Sequence, residues 1–144
     1  MPAATPLEAV EQADIVCAAT DSTTPVFPGV AVRPGTHVNG VGSYTPEMRE
    51  IDQDLIRRAS IFVDSREAAL AEAGELFAAV QAGSTHPEQW TELGDAVLGR
   101  ALPRRSPEGI TFFKSVGLAV QDLAAAAAAV GEAQRSHLGR VVEL

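Results

Sequence analysis

The sequence is poor in several residues that mark a specialised chain. It contains one cysteine, Cys17, one tyrosine, one tryptophan and, against ten arginines, a single lysine, Lys114. One cysteine excludes an internal disulfide, and its apolar surroundings make a buried structural thiol the expectation over a reactive nucleophile. Basic residues are outnumbered, 11 against 19 acidic, for a net charge of −8. Binding to phosphate backbones needs clustered Lys and Arg, so nucleic acid is not the expected partner. No apolar run approaches the ~20 residues of a membrane span. The first residues carry Glu8 and Glu11 and no basic stretch, unlike a secretory signal. These absences point to a cytoplasmic protein.

What is present suits a globular domain. Hydrophobic residues make up 46% and charged residues 21% of 144, a length that reads as one domain, 1–144. Leu7, Val10 and Ala13 predict a short helix. Asp14 to Thr20 is a continuous apolar run closed by polar residues, which suits a buried parallel strand. Pro25, Pro28 and Pro34 with Gly29 and Gly35 predict a loop. His37 to Gly42 reads as a second strand. Thr45-Pro46 has the cap-then-proline order of a helix start, with Ile51, Leu55 and Ala59 on one face. Ser60 to Val63 reads as a third strand. Asp64 and Glu67 resemble a capping box before a helix carrying Leu70, Ala73, Phe77 and Val80 inward. Glu92 to Arg100 suits a short helix, and Pro103 to Gly109 a loop. A long helix is expected from about Ser115, with Val116, Val120, Leu123, Ala127 and Val130 on one stripe.

Strand, helix, strand, helix is the order of a doubly wound α/β fold, here a parallel sheet of three to four strands flanked by helices, with a long C-terminal helix. Ligands of such sheets collect outside the carboxyl ends of the strands. That rule selects Thr20–Thr24, Val41–Thr45 and Asp64–Arg66.

Five segments, read in order, resemble the ornithine cyclodeaminase/mu-crystallin family. They are Ala13 to Val26 (ADIVCAATDSTTPV), Pro34 to Asp52 (PGTHVNGVGSYTPEMREID), Phe62 to Ala69, Glu92 to Asp95, and Ile110 to Asp122 (ITFFKSVGLAVQD). The resemblance runs from about Pro6 to Ala129. It implies the distal part of a Rossmann-like domain binding NAD or NADP. In the family a considerably longer chain also supplies a dimerising domain, with the catalytic lysine and substrate-binding arginines, and the Gly-rich fingerprint. No G-x-G-x-x-G occurs in these residues, and Gly40-Val41-Gly42 is only a fragment of it. The start at Met1 to Thr5 reads as a shortened reading frame, a truncated domain.

The resemblance implies cofactor contacts at Thr20, Val38, Asn39, Gly40, Val41 and Ser115, and substrate contacts at Tyr44 and Val116. Ser115 equally suits a simple helix cap. Ornithine cyclodeaminases carry an aspartate where this chain has Tyr44 and a basic residue where it has Met48. A phenol hydroxyl is no replacement for a carboxylate base. The GSYTPEMRE version is closer to mu-crystallin-type imine reductases, so the implied ancestral chemistry is hydride transfer at an amino- or imino-acid carbon. The resemblance leaves the catalytic residues of this chain unknown. Two functions stand side by side: part of such an NAD(P)-dependent enzyme, completed by a second chain that carries the missing segments, or a non-catalytic remnant that oligomerises or binds a partner. His37, His86 and His137 lack metal-ligand spacing. Lys114 is expected to be structural or at the cofactor edge, and Glu72 and Glu75 to face solvent. Arg49, Arg57 and Arg58 could pair with acids or bind a carboxylate.

Overall fold

The computed structural model describes residues 2–102, 104–140 and 142, so Met1 and Pro103 fall outside the described residues. Its elements are α1 (Pro6–Val10), β1 (Ile15–Ala18), β2 (His37–Gly40), α2 (Gln53–Arg58), β3 (Ala59–Val63), α3 (Arg66–Glu72), α4 (Gly74–Gln81), β4 (Thr91–Glu92), α5 (Leu93–Val97), β5 (Ile110–Lys114) and α6 (Ala119–Arg135). The strands form one parallel sheet of order β1-β2-β5-β3-β4. The expected three to four strands are therefore five. The missed strand β5 lies at the centre, and its Ile-Thr-Phe-Phe run is the β-branched and aromatic composition that strands favour.

Register decides which side chains share a face. Val16, Val38, Phe112 and Ile61 align across four strands, as do Ala18, Gly40, Lys114 and Val63. Val38, Phe112, Ile61 and Val63 are buried, and with Leu55, Ile56, Leu76 and Trp90 they make the core. On the opposite face, Cys17, Asn39, Phe113 and Phe62 align. That face is open toward β1, where Ile15 is 66% exposed. Cys17 is exposed there too, not the buried thiol its neighbours in sequence suggested. An apolar run buries a parallel strand only when a layer covers each face.

Several helix boundaries differ from the sequence reading. Thr45-Pro46 opens a turn, closed by the Met48 N–H donating to the Thr45 carbonyl at 3.1 Å. The helix begins at Gln53, because Asp52 caps the Leu55 N–H at 2.9 Å. The inward helix after β3 is broken in two at Ala73. Gly74 then fits only because it lacks a Cβ, which would lie 2.1 Å from the Met48 carbonyl oxygen. The break turns Ala69, Ala73, Leu76 and Ala79 inward and leaves Leu70 and Phe77 substantially exposed. The last helix starts at Ala119, after Gly117 at φ +84° interrupts the extended chain. All of Ala119–Val130 is exposed, including Val120 and Leu123. Among the described residues, no helix is long and apolar enough to cross a membrane.

Candidate functional site

Because Ala18, Gly40, Lys114 and Val63 are level in the sheet, the chain after each strand emerges on one rim. Thr20, Gly40, Val41, Tyr44, Ser115 and Val116 are gathered there. Val38 and Asn39 lie lower, within β2, and the Val38 side chain is fully buried. Val41 and Tyr44 are open to solvent, at 46% and 61% exposure. Met48 is buried at the foot of the rim loop.

Four acids and one lysine determine the shape of this rim and its supports. Glu50 is fully buried. Its Oε1 accepts from the Thr20 N–H at 2.5 Å and the Thr20 hydroxyl at 2.9 Å, and its Oε2 from the Gly42 and Ser43 N–H groups at 2.7 and 3.2 Å. Lys114, also fully buried, donates from Nζ to the Ser43 carbonyl at 2.6 Å and to Ser43 Oγ at 2.7 Å. Ser43 Oγ in turn donates to Glu75 Oε2 at 2.5 Å. Glu75 Oε1 stands 3.3 Å from the ammonium, close enough for an ion pair but without hydrogen-bond alignment. Glu75 is thus 1% exposed and not on a solvated helix face. The sequence stripe of Leu70, Ala73, Phe77 and Val80 leaves Glu75 outside, and the helix break at Ala73 turns it inward beside Leu76 and Ala79. Nothing in local periodicity marks Glu50.

Asp64 holds the third loop. Its Oδ2 accepts from the Ser115 hydroxyl at 3.0 Å and from the Val116 and Gly117 N–H groups at 3.0 and 2.8 Å. It does not cap the following helix. Ser65 does so, accepting from the Ala68 N–H at 3.3 Å. Ser115 likewise caps no helix, since α6 begins four residues later. Asp52, the fourth acid, ties α2 to the loop before β2 by accepting from the Gly29 N–H at 2.7 Å.

The remaining residues named from sequence lie elsewhere. Arg58 donates to the Gly29 and Val32 carbonyls at 2.6 and 2.9 Å, Arg57 pairs with Asp54, and Arg49 is exposed. Both ring nitrogens of His37 are engaged, Nδ1 with Thr111 Oγ1 at 2.7 Å and Nε2 with Asn39 Oδ1 at 3.1 Å. A cleft of about 630 Å³ opens beside β3, lined by Arg57, Glu88 and Trp90. We place the site at the rim instead, because ligands of parallel sheets lie beyond the carboxyl ends of the strands.

A parallel sheet flanked by helices, with loops gathered at the strands' carboxyl ends, defines a Rossmann-like α/β domain. A model of the ornithine cyclodeaminase/mu-crystallin family matches residues 2–137, and the chain belongs to that family. It is 43% identical over 119 residues to the ketimine reductase mu-crystallin of Mus musculus, covering 83% of this chain and 36% of that one. It is 40% identical over 140 residues to a Delta(1)-pyrroline-2-carboxylate reductase of Bacillus cereus, covering 96% and 43%. The solved structure of the Thermococcus litoralis Delta(1)-pyrroline-2-carboxylate reductase, in complex with NADH and L-proline, superposes with a TM-score of 0.88 at 35% identity, covering 96% and 43%. The chain therefore spans less than half the length of these relatives.

Proposed function

We propose that this chain supplies one half of an NAD(P) site in a reductase acting on a cyclic imine or imino acid. The observation that carries the reading is the convergence of Thr20, Val41, Tyr44, Ser115 and Val116 on one rim of a parallel sheet. The relatives named above are imine reductases, and one of them holds NADH and L-proline. The rim stretches Ala19–Thr20, Val41–Tyr44 and Ser115–Leu118 carry no formal charge. That surface fits the neutral end of a dinucleotide better than its pyrophosphate, which a Gly-rich helix start elsewhere would hold. When bound, the nicotinamide carries the hydride. On this reading Gly40 and Val41 line the ring and Asn39 stands beneath, with Val38 packing the strand from behind. Ser115 gives its proton to Asp64, so its oxygen is left to accept from a polar ligand. Tyr44 and Val116 face the substrate.

Calorimetric titration of the purified chain with NADH and NADPH tests this. Saturable binding, weakened about fivefold (~1 kcal/mol) by Ser115→Ala, is expected for one lost hydrogen bond. No heat up to millimolar nucleotide would sink the reading for the isolated chain.

A second reading has its own observation. Strand β1 is an apolar edge without charge, proline or bulge, and α6 presents Val120, Leu123 and Val130 to solvent. Natural sheets seldom leave such edges bare. We infer that a second copy, or a chain carrying the family's remaining segments, covers this edge and the open face beside it. Light scattering should give at least twice the 15.0 kDa chain mass, and Ile15→Lys should return it to monomer. A wild-type monomer at high concentration would exclude the second copy.

A further inference from the structure

Beyond the ladder, the ends of β1 and β2 meet through one side chain. The last backbone link at the strand ends is the Val41 N–H donating to the Ala18 carbonyl at 2.9 Å, and the loops are joined again only farther out, by the Arg49 N–H to the Ser22 carbonyl at 2.8 Å and the Val26 N–H to the Glu50 carbonyl at 2.9 Å. Past that point the two loops diverge around the Glu50 carboxylate, which receives two donors from each. All four of these partners donate to the carboxylate, and none of them is charged. Gly42 completes the fit: a Cβ there would lie 2.1 Å from the Thr20 carbonyl oxygen and 2.6 Å from Glu50 Oε1. Lys114 holds Ser43 on the other side, so Gly42-Ser43 is gripped from both sides with Tyr44 thrown outward.

We propose that Glu50 is a positioning residue that presets the nucleotide-facing rim. It touches no ligand itself. It fixes Thr20 and the Val41–Tyr44 loop before binding, so that binding does not have to order them. This rests on the NAD(P) reading above. The resemblance to known relatives implied a cofactor contact at Thr20, which Glu50 holds, and at Val41 beside the held Gly42, and none at Glu50.

Glu50→Gln is the informative change. Its amide is nearly the same size but accepts at one oxygen only, and its NH2 must face either the Thr20 donors or the Gly42 and Ser43 donors. Two readouts follow. Hydrogen exchange at the Thr20, Gly42 and Ser43 amides should quicken at least about tenfold, while the Val38 and Phe112 amides stay protected. NADH affinity should fall about tenfold, or ~1.4 kcal/mol. Should Glu50→Gln fail to fold, Glu50→Asp, which keeps the charge and withdraws it by one methylene, gives the same two readouts. Unchanged exchange would overturn the clamp. Quickened exchange with unchanged NADH affinity would leave a structural clamp and remove the positioning role alone. A wild-type chain that binds no nucleotide would remove the NAD(P) reading and this role together.

Discussion

Lys114→Met is expected to cost about 3–5 kcal/mol in urea unfolding, because it breaks a fully buried ion pair from one side. The methionine fits the space, so the cost comes from what is left behind. Glu75 would keep a carboxylate, 1% exposed, with its counter-ion gone. The Ser43 carbonyl would lose its Nζ donor. Domains of this kind have only about 5–15 kcal/mol in hand, so the variant stands near the edge of folding. Adding Glu75→Leu should recover more than half the loss, because an apolar pair of similar volume often replaces a buried ion pair without penalty. A single-variant cost under ~1 kcal/mol would show that the pair is not what holds the rim.

Asp64→Ala comes next, with an expected cost of about 2–3 kcal/mol. Three donors, the Ser115 hydroxyl and the Val116 and Gly117 N–H groups, converge on one charged oxygen. Bonds to a charged acceptor contribute about 1.5–3 kcal/mol each, but partial exposure lets water replace some of them. Ser65→Ala, which removes only the helix cap, should cost nearer ~1 kcal/mol. The contrast separates the two neighbours: Asp64→Ala should also weaken NADH binding by releasing Ser115, and Ser65→Ala should not. Equal effects on binding would show that Asp64 holds the Ser115–Gly117 loop without shaping the site.

Much of the architecture was legible because it depends on local pattern. The apolar run around Val16, the glycine-ended strand at His37–Gly40 and the strand before Asp64 announced a parallel sheet and the rim to which its loops lead. The α6 stripe was visible, but its start was not. Ser115 looks like a cap in one dimension, and only contact with Asp64, 51 residues earlier, shows its hydroxyl engaged across the sheet. Strand β5 was hidden for a related reason. Five residues, Ile110–Lys114, are too few to announce a central position, and strand order is set by packing between segments.

The sequence by itself determined the α/β class, the parallel strands and the family, and it named the rim at the strands' carboxyl ends as the candidate site. The class and the strands follow from periodicity and composition, and the family from the resemblance of five segments in order. Only the tertiary structure decided where the charges went. In sequence Glu75 reads as solvent-facing, Lys114 as structural or at the cofactor edge, and nothing marks Glu50, yet all three are buried, because each finds donors or a counter-ion contributed by a different element. Burial of a charge is tolerated only when distant segments supply its partners. Cys17 shows the converse: its apolar neighbours predicted burial, but its exposure depends on whether another layer covers that sheet face.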